Sequence, residues 1–379
     1  MIPVARPVLG EEEAAATRRA ILSGWVTQGP EVEAFEQEWA AFTGAAHACA
    51  VSNCTTALHL ALLVAGVKPG DEVITVSHSF IATVNAVRAA QALPVMVDID
   101  AATFNIAAEQ VVQAITPKTR AILAVHQLGM PCDLAALRRI ADERHLVLIE
   151  DAACAIGSEI QWEGEWQVIG RPHGHIACFS LHPRKVITTG DGGMITTNHA
   201  EWDARLRLLR QHGMSISDKA RHGSASVVFE EYPVPGFNYR MTDVQAAMGR
   251  EQLKRLPGIL ERRRELAARY GEKLRGVTVP HQPAWARSNW QSYAITLSAD
   301  QDQRRVMQAM LDDGISTRRG VMCSHREAAC ADLPLRHRLN ASEQAQDRAI
   351  ILPLYPQMTD AEQDRVIASL HQALNPALS

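Results

Sequence analysis

The stretch Leu146-Val147-Leu148-Ile149-Glu150-Asp151-Ala152-Ala153 indicates the fold more clearly than any other part of the sequence. Four consecutive apolar residues, followed by two carboxylates and two small residues, are typical of a strand that helices cover on both faces. Further short runs of β-forming residues occur in the same part of the chain, at residues 47–51, 72–77, 94–100, 120–126, 175–182 and 193–197.

Amphipathic stretches separate these runs and predict helices at residues 55–66, 82–91, 107–115 and 133–144. Strands that alternate with helices predict an α/β domain with a mostly parallel central sheet flanked by helices. Ligands of such sheets bind beyond the carboxyl ends of the strands. The residues that directly follow each strand are therefore the candidates for a functional site.

The composition of the 379 residues limits the possible partners. The formal net charge is −4 and only 5% of the residues are aromatic, so we expect neither nucleic acid nor an anionic membrane surface to bind. The longest apolar run, residues 57–67, is too short to cross a bilayer, and the N-terminus lacks the layout of a signal peptide. We therefore expect a cytoplasmic protein of enzyme size.

The cysteines and histidines indicate neither a disulfide framework nor a metal site. The seven cysteines include no C-x-x-C pair, and they lie in apolar stretches where reduced thiols pack as small apolar groups. His173-Gly174-His175, with Cys178 nearby, lacks a second ligand pair at zinc spacing. We therefore expect no metal, and structural or surface roles for the histidines.

The pattern changes after about residue 213. Residues 213–240 are rich in Gly, Ser, Pro and Tyr and predict a loop region. A charged helix is expected at residues 242–274, broken or kinked at Pro257-Gly258. The remainder predicts a strand at 292–298 and helices at 302–313, 342–351 and 359–374. We accordingly predict a large domain at residues 1–250, including an N-terminal arm, and a small C-terminal α/β domain at residues 251–379.

A lysine and a glycine-rich turn follow one of the apolar strands. The segment runs from Cys178-Phe179-Ser180 through Lys185 to Gly190-Asp191-Gly192-Gly193. Glycines allow the backbone to approach a ligand closely or to take φ > 0. Lys185 could form an imine with a carbonyl cofactor if burial or nearby cations lowered its pKa. The alternative is an exposed lysine in a loop, and spacing alone favours that alternative.

Asp151 ends the strand quoted at the outset. A carboxylate at the carboxyl end of a strand is well placed to meet a cationic ring nitrogen. Helix capping explains the residue equally well, since Asp also favours N-cap positions. The sequence pattern leaves these two interpretations open.

A polar turn opens a predicted helix at Ser52-Asn53-Cys54-Thr55-Thr56-Ala57-Leu58-His59. Helix N-termini bind phosphates through free N–H groups, although plain capping is the more common reason for such a pattern. No G-x-x-x-x-G-K-[ST] run is present, which excludes a P-loop. An anion site, a carboxylate and an imine-forming lysine are together what pyridoxal 5'-phosphate (PLP) requires from its protein.

The sequence resembles the DegT/StrS family of PLP-dependent sugar aminotransferases, which have fold type I. The similarity extends over nearly the whole chain and is carried by residues 2–7, 24–30, Glu33, Phe35, Glu36, 70–74, 94–100, 150–153, the Lys185 segment and 236–243. The Lys185 segment and residues 150–153 are the most specific of these. The resemblance implies a large PLP-binding domain, a smaller C-terminal domain, and a homodimer with shared active sites.

The resemblance also implies roles for individual residues. Lys185 would form the imine with PLP and shuttle a proton, and Asp151 would keep the pyridinium nitrogen protonated. The other cofactor contacts would come from Thr55, Thr56 and Ser180 at the phosphate, Phe80 on the ring, Cys154 near the 3-hydroxyl, and Asn238 at the phosphate of the other subunit. Arg318, Arg319 and His325 would bind a sugar nucleotide, with the two arginines at its diphosphate.

The chain departs from the family's pattern at three places. Cys154 stands where Gln is common, which removes a hydrogen bond near the cofactor's 3-hydroxyl. Asp191 stands where Glu is commoner and keeps the charge. Residues 318–325 lack the tyrosines often found there, which keeps open a substrate without a nucleotide.

These observations predict a transaminase that moves an amino group from L-glutamate or L-glutamine to a keto-sugar, nucleotide-activated in the preferred hypothesis. The alternatives are amination of a keto-cyclitol or another non-nucleotide ketone, and a PLP-binding regulator without turnover. The dehydratase branch of the family has His in place of the lysine, so Lys185 argues against that branch.

Overall fold

The computed structural model describes residues 1–216, 221, 226–227 and 229–375. The prediction of a loop at residues 213–240 therefore falls partly outside the described residues. The strands are β1 (His47–Val51), β2 (Glu72–Val76), β3 (Leu93–Val97), β4 (Thr119–Val125), β5 (Val147–Asp151), β6 (Glu159–Trp162), β7 (Glu165–Val168), β8 (Ile176–Ser180), β9 (Gly193–Thr197), β10 (Ala286–Arg287), β11 (Tyr293–Thr296), β12 (Arg318–Arg319) and β13 (Ala349–Leu352).

The helices lie between and after these strands. They are α1 (Glu11–Leu22), α2 (Pro30–Thr43), α3 (Cys54–Val64), α4 (Ala82–Ala89), α5 (Ala108–Ala114), α6 (Leu134–Arg144), α7 (Ala200–Leu209), α8 (Asp243–Lys273), α9 (Gln303–Asp312), α10 (Asn340–Arg348) and α11 (Asp360–Leu374). No helix in the described ranges combines the length and apolar character needed to span a membrane.

A seven-stranded sheet forms the centre of the molecule, in the order β1-β9-β8-β5-β4-β2-β3. All neighbouring strands from β3 to β8 are parallel, and β9 is antiparallel to both of its neighbours. The predicted mostly parallel α/β sheet is thus confirmed. Strand β5 lies in the middle of the sheet, and its carboxyl end is therefore enclosed by neighbouring strands.

The apolar run of β5 explains why the sheet is covered on both sides. Leu148 and Ile149 are fully buried, and they belong to two different apolar clusters, one on each face of the sheet. Side chains of successive strand residues point to opposite faces, so a run of apolar residues requires two covering layers. Burial of one such side chain is worth about 1.5–3 kcal/mol.

A second antiparallel sheet, β11-β13-β12, forms the C-terminal unit with α9 and α11. Its apolar cluster includes Tyr270 from α8 and Tyr293 from β11, and also Ile2 from the start of the chain. The amide of Ile2 donates to the carbonyl of Gly314 at 2.8 Å, and the carbonyl of Ile2 accepts from the amide of Ser316 at 2.9 Å. The first residues therefore complete the C-terminal unit.

The structure corrects two sequence predictions in the C-terminal half. Helix α8 runs through Pro257, so the predicted break is wrong, while a kink at this position stays a prediction. Buried neighbours such as Leu253 and Leu256 hold that face of the helix against the core. Proline removes one backbone hydrogen bond of the helix, and the packing of these side chains compensates for that loss. The helix predicted at residues 342–351 ends at Arg348, and the apolar residues that follow it form β13.

The predicted domain boundary, between residues 250 and 251, falls inside α8. This helix packs on α1 and α2 and also contacts α11. The division into 1–250 and 251–379 therefore stays a prediction. A small sheet of β10, β6 and β7 was not predicted.

Candidate active site

The two carboxylates at the end of β5 lie in different surroundings, because successive strand side chains point to opposite faces. Glu150 is hydrogen-bonded to Nε2 of His126 at 3.1 Å and accepts from the amide of Gly174 at 2.6 Å. Burial alone would raise the pKa of Glu150. The hydrogen bonds to His126 and to this amide lower it by more, so the pKa lies below the usual value. Glu150 thus links β5 to the segments at His126 and Gly174 and has a structural role.

Asp151 lies at the edge of the sheet where ligands are expected. Its Oδ2 accepts a hydrogen bond of 2.9 Å from Oγ1 of Thr83, in the first turn of α4, and its Oδ1 accepts one of 3.2 Å from the amide of Ala153. The side chain is buried, and this burial raises the pKa of Asp151 more than the two hydrogen bonds lower it. A cation placed against the carboxylate would stabilise its charged form.

Lys185 follows β8 and reaches the same region. Its Nζ donates to Sγ of Cys154 at 3.0 Å. Burial lowers the pKa of Lys185, but Cys154 and, more weakly, Asp151 raise it above its usual value. The lysine, the cysteine and the aspartate that the sequence singled out are therefore brought together.

The glycine-rich turn allows two elements to approach each other closely. A Cβ atom on Gly193 would lie 2.5 Å from the carbonyl group of Asn53 and 2.9 Å from the amide nitrogen of Cys54. Gly193 pairs with Ser180, the last residue of β8. The absence of a side chain at Gly193 thus brings the start of α3 next to the end of β8.

The first turn of α3 is capped on one side and open on the other. Oδ1 of Asn53 accepts from the amide of Thr56 at 3.0 Å, and Oγ1 of Thr56 donates to the carbonyl of Asn53 at 2.8 Å. Thr55 is exposed. Within the described part of the chain, the amides of Cys54 and Thr55 have no hydrogen-bond acceptor. Such amides bind anions well.

Phe80 and Asn238 are both exposed. Phe80 is 63% exposed and lies in the connection from the end of β2 to the start of α4. The start of α4 contacts Asp151 through Thr83. Asn238 accepts from Nε of Arg240 at 3.3 Å, and its neighbour Tyr239 accepts from the amide of Ser52 at 2.8 Å. The segment around Asn238 therefore runs beside the end of β1, just before α3.

Arg318 and Arg319 form the short strand β12, and consecutive strand residues point to opposite faces. Burial lowers the pKa of Arg318, and nearby Arg184 lowers it further. Arg319 instead lies 3.9 Å from a carboxylate oxygen of Glu327. Arg318 thus lies near Arg184 of the lysine segment, whereas Arg319 lies near Glu327, and the joint binding of a diphosphate by both arginines stays a prediction.

His325 is occupied by other side chains of the protein. Its Nδ1 lies 2.6 Å from Oγ of Ser77, and its Nε2 lies 3.1 Å from Oε1 of Glu343. Ser77 directly follows β2, and Glu343 lies in α10. His325 therefore connects the large sheet to the C-terminal unit in this structure.

Three polar side chains that did not emerge from the sequence pattern contact the site. Thr83 bonds to Asp151, as described above. Nδ2 of Asn289 donates to the carbonyl of Cys154 at 2.8 Å, and Nε2 of Gln291 donates to the carbonyl of Arg184 at 2.6 Å. Residues 288–292, directly before β11, are rich in polar residues, but nothing in this segment indicates a contact with Cys154 or Arg184.

The chain is similar to a known family of enzymes. The sequence model of the DegT/DnrJ/EryC1/StrS aminotransferase family matches residues 7–371. The aminotransferase TlmJ from Streptoalloteichus hindustanus is 32% identical, with a TM-score of 0.90 and a match covering 100% of both chains.

Two further solved structures are similar over almost their full length. DesV from S. venezuelae, solved with a ketimine intermediate, is 33% identical, with a TM-score of 0.87 and coverage of 96% of this chain and 94% of DesV. Spr1654 from Streptococcus pneumoniae, classed as a sugar aminotransferase and solved in its PLP-form, is 26% identical, with a TM-score of 0.91 and 100% coverage of both chains.

Proposed function

The chain belongs to the DegT/DnrJ/EryC1/StrS aminotransferase family, and on this premise we propose that it moves an amino group from L-glutamate or L-glutamine to the keto group of a nucleotide-activated sugar. It is a PLP-dependent aminotransferase of a family of sugar aminotransferases. The donor, the nucleotide on the acceptor and the roles of individual residues are the proposed part.

The described residues fit each chemical group of PLP. Lys185 offers an amine for the aldehyde, and Asp151 offers a buried carboxylate for the ring nitrogen. The free amides at the start of α3 and the exposed hydroxyl of Thr55 offer donors for the phosphate. The fit is supported by Gly193, where any side chain would fill the space against Asn53.

Each of these residues has a distinct task in the proposed reaction. When bound, PLP supplies an aldehyde that exchanges with amines and a ring that accepts electrons. Nζ of Lys185 takes the proton from the α-carbon of the amino donor and gives a proton to the carbon of the acceptor that becomes aminated. Asp151 stays ionised opposite the cationic ring nitrogen, and Thr83 keeps its carboxylate in place.

Ser180, Thr55 and Thr56 are proposed to hold the phosphate, and Phe80 to cover one face of the ring. The exposed side chains of Thr55 and Phe80 support this assignment, because neither side chain is occupied by a hydrogen bond or ring contact with another described residue. The hydroxyl of Thr56 already bonds to the carbonyl of Asn53 at the start of α3. Thr56 is therefore proposed to help phosphate binding indirectly, because it stabilises the helix start whose amides bind the phosphate.

We propose a homodimer in which Asn238 reaches the phosphate site of the other copy. Apolar side chains in the described part of the same segment support this arrangement, since Val227, Phe229 and Tyr232 are 85%, 84% and 59% exposed. Exposed apolar side chains that lie close together are typical of surfaces that a partner covers.

A keto-cyclitol or another ketone without a nucleotide is the second candidate acceptor. The arginines on opposite faces of β12 favour it, as does the engagement of His325 with Ser77 and Glu343, because both reduce the groups available for a diphosphate. Arg318, near the lysine segment, favours the nucleotide-bearing acceptor.

The observation that carries the proposal is the proximity of the Lys185 amine, Cys154 and the buried Asp151 at neighbouring strand ends. Borohydride reduction of the PLP-loaded protein should fix the cofactor to Lys185, as shown by mass spectrometry of its peptides. The Lys185→Arg variant should give no such product. A label on any other lysine would contradict the assignment.

The donor and the acceptor are tested in separate half-reactions. L-Glutamate or L-glutamine alone should bleach the visible absorbance of the loaded protein, and if no amino donor does so, the reaction proposed here is wrong. The aminated form should then be offered nucleotide-linked keto-sugars, the same sugars without nucleotide, and keto-cyclitols. Faster recovery of the absorbance with the nucleotide-linked sugars is the expected result.

A further inference from the structure

Cys154 differs from all other cysteines of the chain. The seven cysteines all lie in the described ranges, and six of them are buried while Cys154 is partly exposed. Its Sγ is also the atom that contacts Nζ of Lys185, at 3.0 Å. A thiol next to an ammonium group is favoured in its charged, reactive form.

The backbone around Cys154 is held firmly. Asn289 is fully buried, and its Nδ2 donates to the carbonyls of Cys154 and Ile156, both at 2.8 Å. A Cβ atom on Gly129 would lie 2.1 Å from Oδ1 of Asn289 and 3.1 Å from the carbonyl of Cys154, and Gly129 has a φ of +96°. Only glycine suits that position, so the sulfur is presented from a rigid support.

The other charged and titratable groups near the pair come from several elements. Asp151 faces Lys185 from the end of β5, and Cys54 faces it from α3. Burial raises the pKa of the Cys54 thiol well above its usual value, so Cys54 stays neutral. His182 and Arg184 lie on the lysine's own segment; Arg318, on β12, lowers the pKa of His182, and Arg184 lowers the pKa of Arg318. Cys154 is therefore the cysteine whose sulfur contacts the lysine amine.

We propose that Cys154 is a positioning residue for Lys185: in the cofactor-free protein its sulfur accepts the hydrogen bond from the Nζ ammonium group and holds the amine in the pocket. This inference rests on the proposed role of Lys185. Asn289 acts through Cys154 by fixing the main chain that carries the sulfur.

The pairing is tested first by alkylation of the cofactor-free protein. Iodoacetamide should modify Cys154 faster than the six buried cysteines, as measured by peptide mass spectrometry between pH 5 and 9. Lys185→Met should slow the modification of Cys154 at pH 7 by about tenfold, because the thiolate loses its cation. The matched control Arg184→Met removes a neighbouring cation without touching the sulfur and should change the rate less than about twofold. Equal rates in wild type and Lys185→Met would overturn the pairing.

The positioning role is tested by PLP uptake as a function of pH. In Cys154→Ser and Cys154→Ala the pH midpoint of uptake should move to lower values, because the lysine loses the sulfur contact that raises its pKa. Serine keeps a hydrogen-bonding group, so affinity at high pH should stay close to wild type, while alanine should weaken binding about tenfold. Unchanged midpoints in both variants would contradict the proposal.

The borohydride and alkylation experiments test the function of Lys185 and its pairing with Cys154 separately. If borohydride fixed the cofactor to another lysine, the proposed function of Lys185 would fail, yet the alkylation rates would still show whether Cys154 and Lys185 are paired. Conversely, correct borohydride labelling with equal alkylation rates would leave the function intact and refute the role of Cys154.

Discussion

Oγ1 of Thr83 donates a hydrogen bond of 2.9 Å to Oδ2 of Asp151, which joins the first turn of α4 to the end of β5. Ser79 in turn lies 2.8 Å from the same hydroxyl. All three side chains are buried. The orientation of the aspartate thus depends on a hydroxyl 68 residues earlier in the chain.

Replacement of Thr83 by valine should reduce turnover. Valine has the same shape but cannot donate, so the carboxylate loses a hydrogen bond worth about 1.5–3 kcal/mol. We expect kcat to fall about tenfold or more, and the melting temperature to fall by about a few degrees because a buried acceptor loses its donor. Steady-state kinetics and a melting curve measure both effects. Ser79→Ala, one bond further away, should have a smaller effect, and a larger effect of Ser79→Ala would contradict this order.

Asp151→Asn should separate activity from stability. Burial raises the pKa of Asp151 in the folded protein, so the free energy of unfolding of the cofactor-free protein falls as the pH rises from the ordinary aspartate range through that raised value. Asparagine removes this cost. We therefore expect cofactor-free Asp151→Asn to be more stable than wild type at pH 8 and to show no such gain at pH 4.

The same variant should lose about 100-fold or more of its activity, because the ring nitrogen loses its anionic partner. Denaturant unfolding at the two pH values and a rate assay provide the measurements. A variant that is less stable than wild type at pH 8 would show that the hydrogen bonds to Asp151 outweigh the cost of burying its charge.

Asn238→Ala should weaken retention of PLP through the other subunit. Inactive Lys185→Ala and impaired Asn238→Ala chains, mixed and allowed to exchange, should regain part of the activity, since one site of each mixed dimer then has both residues intact. Each variant mixed with itself is the control. An active protein that sediments only as a monomer would refute the shared site.

Arg318→Gln and Arg319→Gln form a matched pair for the acceptor site. Arg318 lies near Arg184 and the lysine segment, whereas Arg319 lies near Glu327 on the other face of β12. We expect Arg318→Gln to raise KM for a nucleotide-linked keto-sugar about tenfold, and Arg319→Gln to have little effect. Neither should change KM for a keto-cyclitol. Equal effects of both variants would favour the joint clamp implied by the family resemblance.

The central sheet was predictable because its information is local. Apolar runs such as Leu146 to Ile149 favour strands through a pattern that lies within the run itself. The predicted strands agree with β1, β2 and β9 in their bounds to within one residue. The hairpin of β6 and β7 had a weaker signal, with Trp162 and Trp166 on either side of a turn at Gly164, which has a φ of +87°.

Other features depend on contacts that no local pattern contains. Pro257 favours a helix break, and only packing of α8 on α1 and α2 overrides that preference. The lysine and the aspartate could be selected from their positions after strands. Asn289 could not, because its partner Cys154 is 135 residues away and a buried asparagine resembles a loop asparagine in sequence.

The pairing of Ile2 with the strand region at Ile315 has a consequence for biosynthesis. On the ribosome, Ile2 emerges more than three hundred residues before its partner. The large sheet can form while synthesis continues, but the last apolar cluster has to wait until the residues after Ile315 have also emerged. Closure of the C-terminal unit is therefore a late event, and nascent chains stalled before residue 315 should leave their first residues open to proteases.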